Sequence, residues 1–288
     1  MPVTPHRRSI AHPVTVSGVG LHSGATCTLE FVPAPRDTGV VFVRADLPGA
    51  PEIPASIDRV SVSDRRTVLR ADTGVVSTVE HVMAAVAGLG ISDLIVRLTG
   101  PEPPQMDGSA LPFCAALLRG QLVDRADVRP AFVIEEAIAV QDGDARYEVT
   151  PDAGLRITVA IDFPHPAIGE QIWSFDASVS DFATELAGAR TFGFAWELEE
   201  LRHRDLIRGA QEEAGVLFTH DGIAGGPLRW PEECARHKTL DLIGDLALLG
   251  APILGHIVAH RPSHRGNVAL ARAIASSCRL ETARARHS

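Results

Sequence analysis

Two helical stretches that echo each other constrain this chain more than any other feature. HVMAAVAGLG (81–90) and HKTLDLIGDLALLG (237–250) each carry a histidine early and end on Leu-Gly. Each then leads into an apolar run, DLIVRL (93–98) and ILGHIVAH (253–260), whose β-branched content reads as a strand. The surroundings repeat as well. In the first half, strand-like segments at 8–17, 26–33 and 39–45 precede a helix from about Thr78 to Ala87, which stops at Gly88-Leu89-Gly90, and a shorter helix from Ser109 follows. In the second half, strands near 131–140, 145–150, 155–162 and 170–174 and a helical stretch at 180–188 precede a helix from Pro231 to Gly250. Glu232 and Glu233 stand in that helix's first turn, and a last helix covers about 267–277. The pattern reads as an internal duplication, residues 1–125 and 126–288, joined near the polar VDRADVRP (123–130). Strands followed by helix, strand and helix are not an alternating βαβ order, so the expected class is α+β, with layers packed together.

Composition narrows the functions open to such a chain. Apolar residues make up 45% and charged residues 22%, a globular profile with material for a core. The formal net charge is −9 with no basic run, which argues against nucleic-acid or anionic-membrane partners. No run of about 18 apolar residues exists to cross a membrane as a helix. The start, MPVTPHRRSIAHPVTV, lacks the apolar region of a signal peptide. Cys27, Cys114, Cys234 and Cys278 have neither metal-site nor framework spacing, so the expected setting is a reducing cytoplasm. A monomer is expected.

Of the 27 basic residues only Lys238 is lysine. A site that needs a compact ammonium rather than a planar guanidinium would explain that survival; chance is the alternative. Lys238 sits in His237-Lys238-x-x-Asp241-x-x-x-Asp245. His237 and Asp241, four apart on a helix, share one face, where an imidazole and a carboxylate can reach one cation. Asp245 extends the stripe into the last turns, where a carboxylate opposes the helix dipole and so calls for a local partner. The competing reading, a solvated polar face, fits poorly with the apolar LDLIGDLALLG around it. Glu80-His81 offers a second His and an acid. On local grammar, however, Ser77-Thr78-Val79-Glu80 is a capping box, with Glu80 closing back on Ser77. Two histidines, a carboxylate and an open position are the usual set of a hydrolytic zinc site, but about 150 residues separate the two pieces, so spacing cannot join them. His264 and Thr191 lie in connections of the kind that display functional side chains. GVGLHSG (18–24) lacks the spacing of a nucleotide loop and suits a turn between strands.

These pieces coincide with a known family. SGVGLHSG, STVEHVMAAVAGLGISDLIV, GPEPPQMDGSALPF, IDFPHPAIG, ARTFGF and RHKTLDLIGDLALLGAPILG occur here in order, and over about 8–275 the chain resembles the UDP-3-O-acyl-N-acetylglucosamine deacetylases, zinc hydrolases of lipid A biosynthesis. The resemblance implies two similar two-layer α/β sandwich domains with the active site between them. It implies zinc on His81, His237 and Asp241, Glu80 as general base, and His264 as general acid oriented by Asp245. It also implies Thr191 at the oxyanion and Lys238 beside the metal. Phe192, Arg261 and Arg208 are the candidate contacts to the substrate, an N-acetylated sugar or sugar nucleotide.

The likeness weakens at 204–216, where family members place a Gly-Gly-Ser run and an apolar passage for the acyl chain. Here stand Arg208, Gln211, Glu212 and Glu213, which suit an alkyl tube only if they point outward. Arg261 replaces a lysine that often contacts phosphate, and Ala145, beside Arg146, replaces another basic contact. Two alternatives follow: a deacetylase acting on a non-acylated N-acetylglucosamine derivative, and a zinc-retaining sugar-nucleotide binder without turnover.

Overall fold

The computed structural model describes residues 6–61, 65–211, 214–224 and 226–282. Six helices punctuate it: α1 (Glu80–Gly88), α2 (Leu111–Arg119), α3 (Phe182–Glu185), α4 (Leu198–His203), α5 (Glu233–Leu246) and α6 (His264–Ser277). The fold is mixed α+β with several sheets. A five-stranded sheet runs in the order Val14–Val19, Thr26–Pro33, Leu94–Leu98, Val40–Arg44, Glu52–Pro54. A seven-stranded sheet is built from 130–282 around Ile253–His260.

The strand that follows each main helix becomes the centre of its sheet. Leu94–Leu98 pairs antiparallel with Thr26–Pro33 and parallel with Val40–Arg44. Ile253–His260 pairs antiparallel with Ala145–Thr150 and parallel with Leu155–Phe163. A strand with neighbours on both sides is best served by apolar side chains, and Leu94, Val96, Leu98, Ile253, Ile257 and Ala259 are all buried. Buried residues of both halves form one core, and α1 packs directly on α5. Gly244 permits this: a Cβ there would stand 2.4 Å from the Glu80 carbonyl oxygen.

Several local expectations are corrected. The capping box does not form. Ser77 ends the strand Gly74–Ser77, Thr78 is held at φ 57, and α1 begins at Glu80 with no side-chain cap. A β-branched residue in the left-handed region is a strained one, and it persists here because Thr78 Oγ1 donates to buried Glu102 (3.0 Å). Glu102 also accepts from the His22 and Ser23 amides, so it ties the SGVGLHSG turn to the entry of α1. The α5 helix starts at Glu233 rather than Pro231 and gives way to a 3-10 turn at Ala247–Leu249 before left-handed Gly250. Glu233 does not face solvent at the dipole end; it is buried against Arg190. The strand expected at 131–140 is two, Pro130–Val133 and Ile138–Asp142, interrupted at exposed Glu135 and Glu136.

Candidate metal centre

α1 and α5 bring the two sequence fragments together. The ligand atoms of His81, His237 and Asp241 all lie within 4.8 Å of one another. Asp241 Oδ1 stands 3.4 Å from His237 Nε2 and 3.8 Å from His81 Nε2, and the two imidazoles meet edge to face at 5.1 Å. The other polar atoms of His237 and Asp241 are already engaged. His237 Nδ1 donates to the Ala189 carbonyl (3.0 Å), which fixes the tautomer and leaves Nε2 with a lone pair. Lys238 Nζ donates to Asp241 Oδ2 (3.1 Å). Asp241 Oδ1, by contrast, is a buried oxygen with no hydrogen-bond partner among the described residues. A buried acceptor left empty costs about 1–3 kcal/mol, and a cation shared with two ring nitrogens would remove that cost. Two imidazoles and a carboxylate are a zinc donor set, and the fit is to such an ion.

The electrostatics suit ligation. Burial, reinforced by His237, pushes His81 down to about 3, and burial likewise lowers His237, so both rings are neutral with lone pairs available. Burial works against the Asp241 carboxylate, but His237, Lys238 and His264 outweigh it and hold the group below the usual carboxylate range.

Two titratable groups flank the triad. Glu80 is buried, with Oε2 accepting from the Thr67 amide (3.1 Å). Burial pushes its carboxyl up to about 7; His264 opposes this, and Asp245 and Asp241 add to it. His264, the first residue of α6, sets Nε2 4.0 Å from Glu80 Oε1 and 3.9 Å from Asp241 Oδ2. Its Nδ1 donates to Asp245 Oδ2 at 2.8 Å. Burial disfavours the imidazolium, but Asp245 and then Asp241 overcome it and lift His264 to about 9. Asp245 thus has the partners that its place near the end of α5 demanded: His264, Asn267 Nδ2 (2.9 Å) and the Thr67 hydroxyl.

Thr191 lines a small cavity beside His81, and its amide donates to the Gly108 carbonyl (2.7 Å). Phe192 turns an edge to the His237 ring at 6.3 Å, with Lys238 Nζ 5.7 Å from the Phe192 centroid. Phe192 also opens a three-stranded sheet, Phe192–Phe194, Val216–Phe218 and Ile223–Ala224. Arg208 and Arg261 are exposed and bind Asp205 and Asp162; among the described residues neither contacts the metal-site groups through a side-chain hydrogen bond or ion pair. Gln211 is exposed, and Glu212 and Glu213 lie outside the described residues.

Thr67, Asn267 and Glu233 escape a reading of the sequence. Thr67 carries no motif. Asn267 is three residues from His264 on one helix face, a spacing that could have found it. Glu233 accepts from the Arg190 amide, Nε and Nη2 and from the Arg229 amide, which clamps the segment that carries Ala189 and Thr191.

Known proteins are similar to this chain over most of its length. The family profile described as UDP-3-O-acyl N-acetylglycosamine deacetylase matches residues 7–276. The chain is 45% identical over 269 residues to a UDP-3-O-acyl-N-acetylglucosamine deacetylase of Thermosynechococcus vestitus, covering 93% of this chain and 94% of the relative. It is 42% identical over 276 residues to the enzyme of that name from Myxococcus xanthus, covering 96% and 88%. It is 39% identical over 259 residues to the one from Bdellovibrio bacteriovorus, covering 90% and 86%. By that match over nearly its whole length, this chain belongs to the UDP-3-O-acyl-N-acetylglucosamine deacetylase family.

Proposed function

We infer that the chain hydrolyses the N-acetyl group of a UDP-3-O-acyl-N-acetylglucosamine, releasing acetate and the free amine. The observation that carries this reading is the unpartnered Asp241 Oδ1 between two neutral imidazoles, with Glu80 and His264 side by side next to them. His81, His237 and Asp241 would hold zinc, which supplies Lewis acidity toward the acetamide oxygen and makes a water acidic near neutral pH. Glu80, whose carboxyl burial lifts to about 7, accepts the proton of the attacking water. Thr191 donates to the oxygen on which charge develops, a contact worth about 3 kcal/mol where one such donor has been removed. His264, held cationic by Asp245, gives its proton to the nitrogen as the C–N bond breaks, since an amide nitrogen leaves poorly without one. Lys238 holds Asp241 Oδ2, and so keeps Oδ1 for the metal.

Phe192, Arg261 and Arg208 are assigned to the substrate. The outward Arg208 and Gln211 leave the half-buried rings of Phe192 and Phe194, backed by buried Phe218, for an alkyl chain, which favours the acylated substrate over a bare N-acetylglucosamine conjugate. The matching roles of Leu94–Leu98 and Ile253–His260 support a duplication with halves at 1–125 and 126–288 and the site between them. Among the described residues no helix is long and apolar enough to cross a membrane. The unpaired cysteines suit a reducing cytoplasm, and a monomer suffices because one chain supplies the whole site.

The test compares release of acetate from the acylated UDP sugar with release from unacylated N-acetylglucosamine conjugates, after chelation and after zinc is returned. Activity on the acylated sugar, lost with the metal and restored with it, is expected. A zinc-loaded protein inert toward every acetamide overturns the reading.

A further inference from the structure

A second cavity lies at the other ends of the same two helices. It has a volume of about 140 Å³ and is lined by the C-terminal parts of α1 and α5 and by both halves of the chain. Its lining starts at Met83 on α1 and Ile243 on α5, each two residues or about 3 Å along the helix beyond a ligand residue, and extends to Ala87 and Ala247, away from the metal centre. Its walls are apolar: Ala87, Leu155, Phe175, Leu246 and Ala247 stand among them. An apolar cavity of about 150 Å³ stays dry and accepts a benzene-sized guest, so the space suits a hydrocarbon of some six carbons or a little more.

One lining residue is out of keeping with an inert void. Arg129 faces this cavity, and among the described residues its one side-chain hydrogen bond is to the Gly250 carbonyl (3.2 Å). The nearby carboxylate, Asp93, is fully buried and already engaged by Arg7 (3.0 Å), the Ser92 hydroxyl (2.8 Å) and the Gly39 amide (3.1 Å), with Arg125 at 3.9 Å. Arg7 also pairs with Asp37 (2.8 Å), so of the guanidiniums around Asp93 it is Arg129 that has no carboxylate within 4 Å among the described residues. Burial, and then Arg7, push Arg129 down to about 10, with Asp93 opposing the shift. An apolar recess with an unneutralised guanidinium at its rim complements an amphiphilic anion.

We propose that this cavity binds a medium-chain carboxylate, with its alkyl chain among Ala87, Phe175, Leu246 and Ala247 and its head on Arg129. Because the walls come from both halves, an occupant ties α1 and α5 together without touching the metal ligands. Octanoate is the probe, titrated calorimetrically into the zinc-loaded full chain, with thermal unfolding followed in parallel. Wild type shows saturable binding and a raised Tm. Ala247→Phe, which fills the space, abolishes both, and Arg129→Gln weakens binding about tenfold, as loss of one charge-assisted contact should. Octan-1-ol, with the same chain and no charge, binds wild type about tenfold more weakly. Phe192→Ala leaves octanoate binding unchanged, which separates this cavity from the aromatic surface beside the metal. The proposal is overturned by an absence of saturable binding to wild type, by octanoate binding lost in Phe192→Ala but kept in Ala247→Phe, or by equal affinity for octanoate and octan-1-ol. Deacetylation by Ala247→Phe and Arg129→Gln is unaffected if they fold, so this test fails or succeeds apart from the assignment of the reaction.

Discussion

Glu233→Gln tests whether the metal centre depends on a clamp outside it. The Glu233 side chain is 1% exposed and that of Arg190 11%, so the bonds between them are largely shielded from solvent. Four donors converge on the carboxylate: the Arg190 amide at 3.0 Å, Nε at 2.8 Å and Nη2 at 3.1 Å, and the Arg229 amide at 2.6 Å. A glutamine offers one acceptor oxygen and turns an NH₂ toward the other donors. Removing one charge of a buried pair costs about 3–5 kcal/mol. Arg190 keeps the Pro227 carbonyl (2.9 Å), so the lower figure applies, about 3 kcal/mol. For a chain of 288 residues, with an unfolding entropy of roughly 0.6 kcal/mol/K, this lowers Tm by about 5 °C. The clamp also fixes Ala189, whose carbonyl orients His237, and Thr191. Supports of this kind are typically worth about 10–100-fold in metal affinity or activity. Calorimetry, zinc titration and steady-state kinetics on one preparation give all three numbers. The expected result is a lower Tm, a lower kcat and weaker zinc binding, with KM nearly unchanged. Pairing Glu233→Gln with Arg190→Met restores part of the Tm but not kcat, because the stranded charge is gone while the carbonyl stays loose. A Tm within about 1 °C of wild type refutes the energetic argument. A destabilised enzyme with full kcat and zinc affinity refutes Glu233 as a positioning residue.

Three further perturbations read other parts of the structure. Asp245→Asn leaves His264 without its anionic partner, and kcat should fall about 10²–10⁴-fold while zinc stoichiometry holds; a wild-type kcat removes His264 as the acid. Gly244→Ala sets a Cβ against the Glu80 carbonyl, at 2.4 Å, and should cost about 1–3 kcal/mol in urea unfolding together with much of the activity; a stable, fully active variant means that α1 and α5 can separate at no cost. Burial, and then Arg66, push His22 from 6.5 down to about 4. Between those values the unfolded chain binds a proton that the folded chain refuses, so stability falls as pH drops through that window, by about 3 kcal/mol at its acid end; unfolding of His22→Gln should show a flatter pH slope, and an unchanged slope places the titration elsewhere.

What could be read in the sequence was what a single element determines. His237 and Asp241 are joined by the helical repeat, and Asp245 announced its need of a partner by standing at the wrong end of the dipole; it has three. The failure at Glu80 is equally physical. Ser77 and Glu80 have the spacing of a capping box, but the strand Gly74–Ser77 claims Ser77, and Glu102 holds Thr78 at a positive φ. The helix therefore starts late, and the glutamate that local grammar spends on a cap is left beside the metal ligands. Thr67 and Glu233 could not be found in this way, because nothing near them in the chain shows what they bind: Thr67 meets Asp245 across 178 residues of sequence, and Glu233 meets Arg190 across 43. The same limit explains why spacing left the two histidines apart. Their separation is set where Gly244 lets the α5 backbone close on Glu80, and a glycine inside LIGDL says only that something approaches, not what. The distances of the centre are thus a property of one helix crossing, while its ligands are a property of two local sequences. A substitution at the crossing should degrade acid, base and metal together, whereas one at a ligand removes a single function.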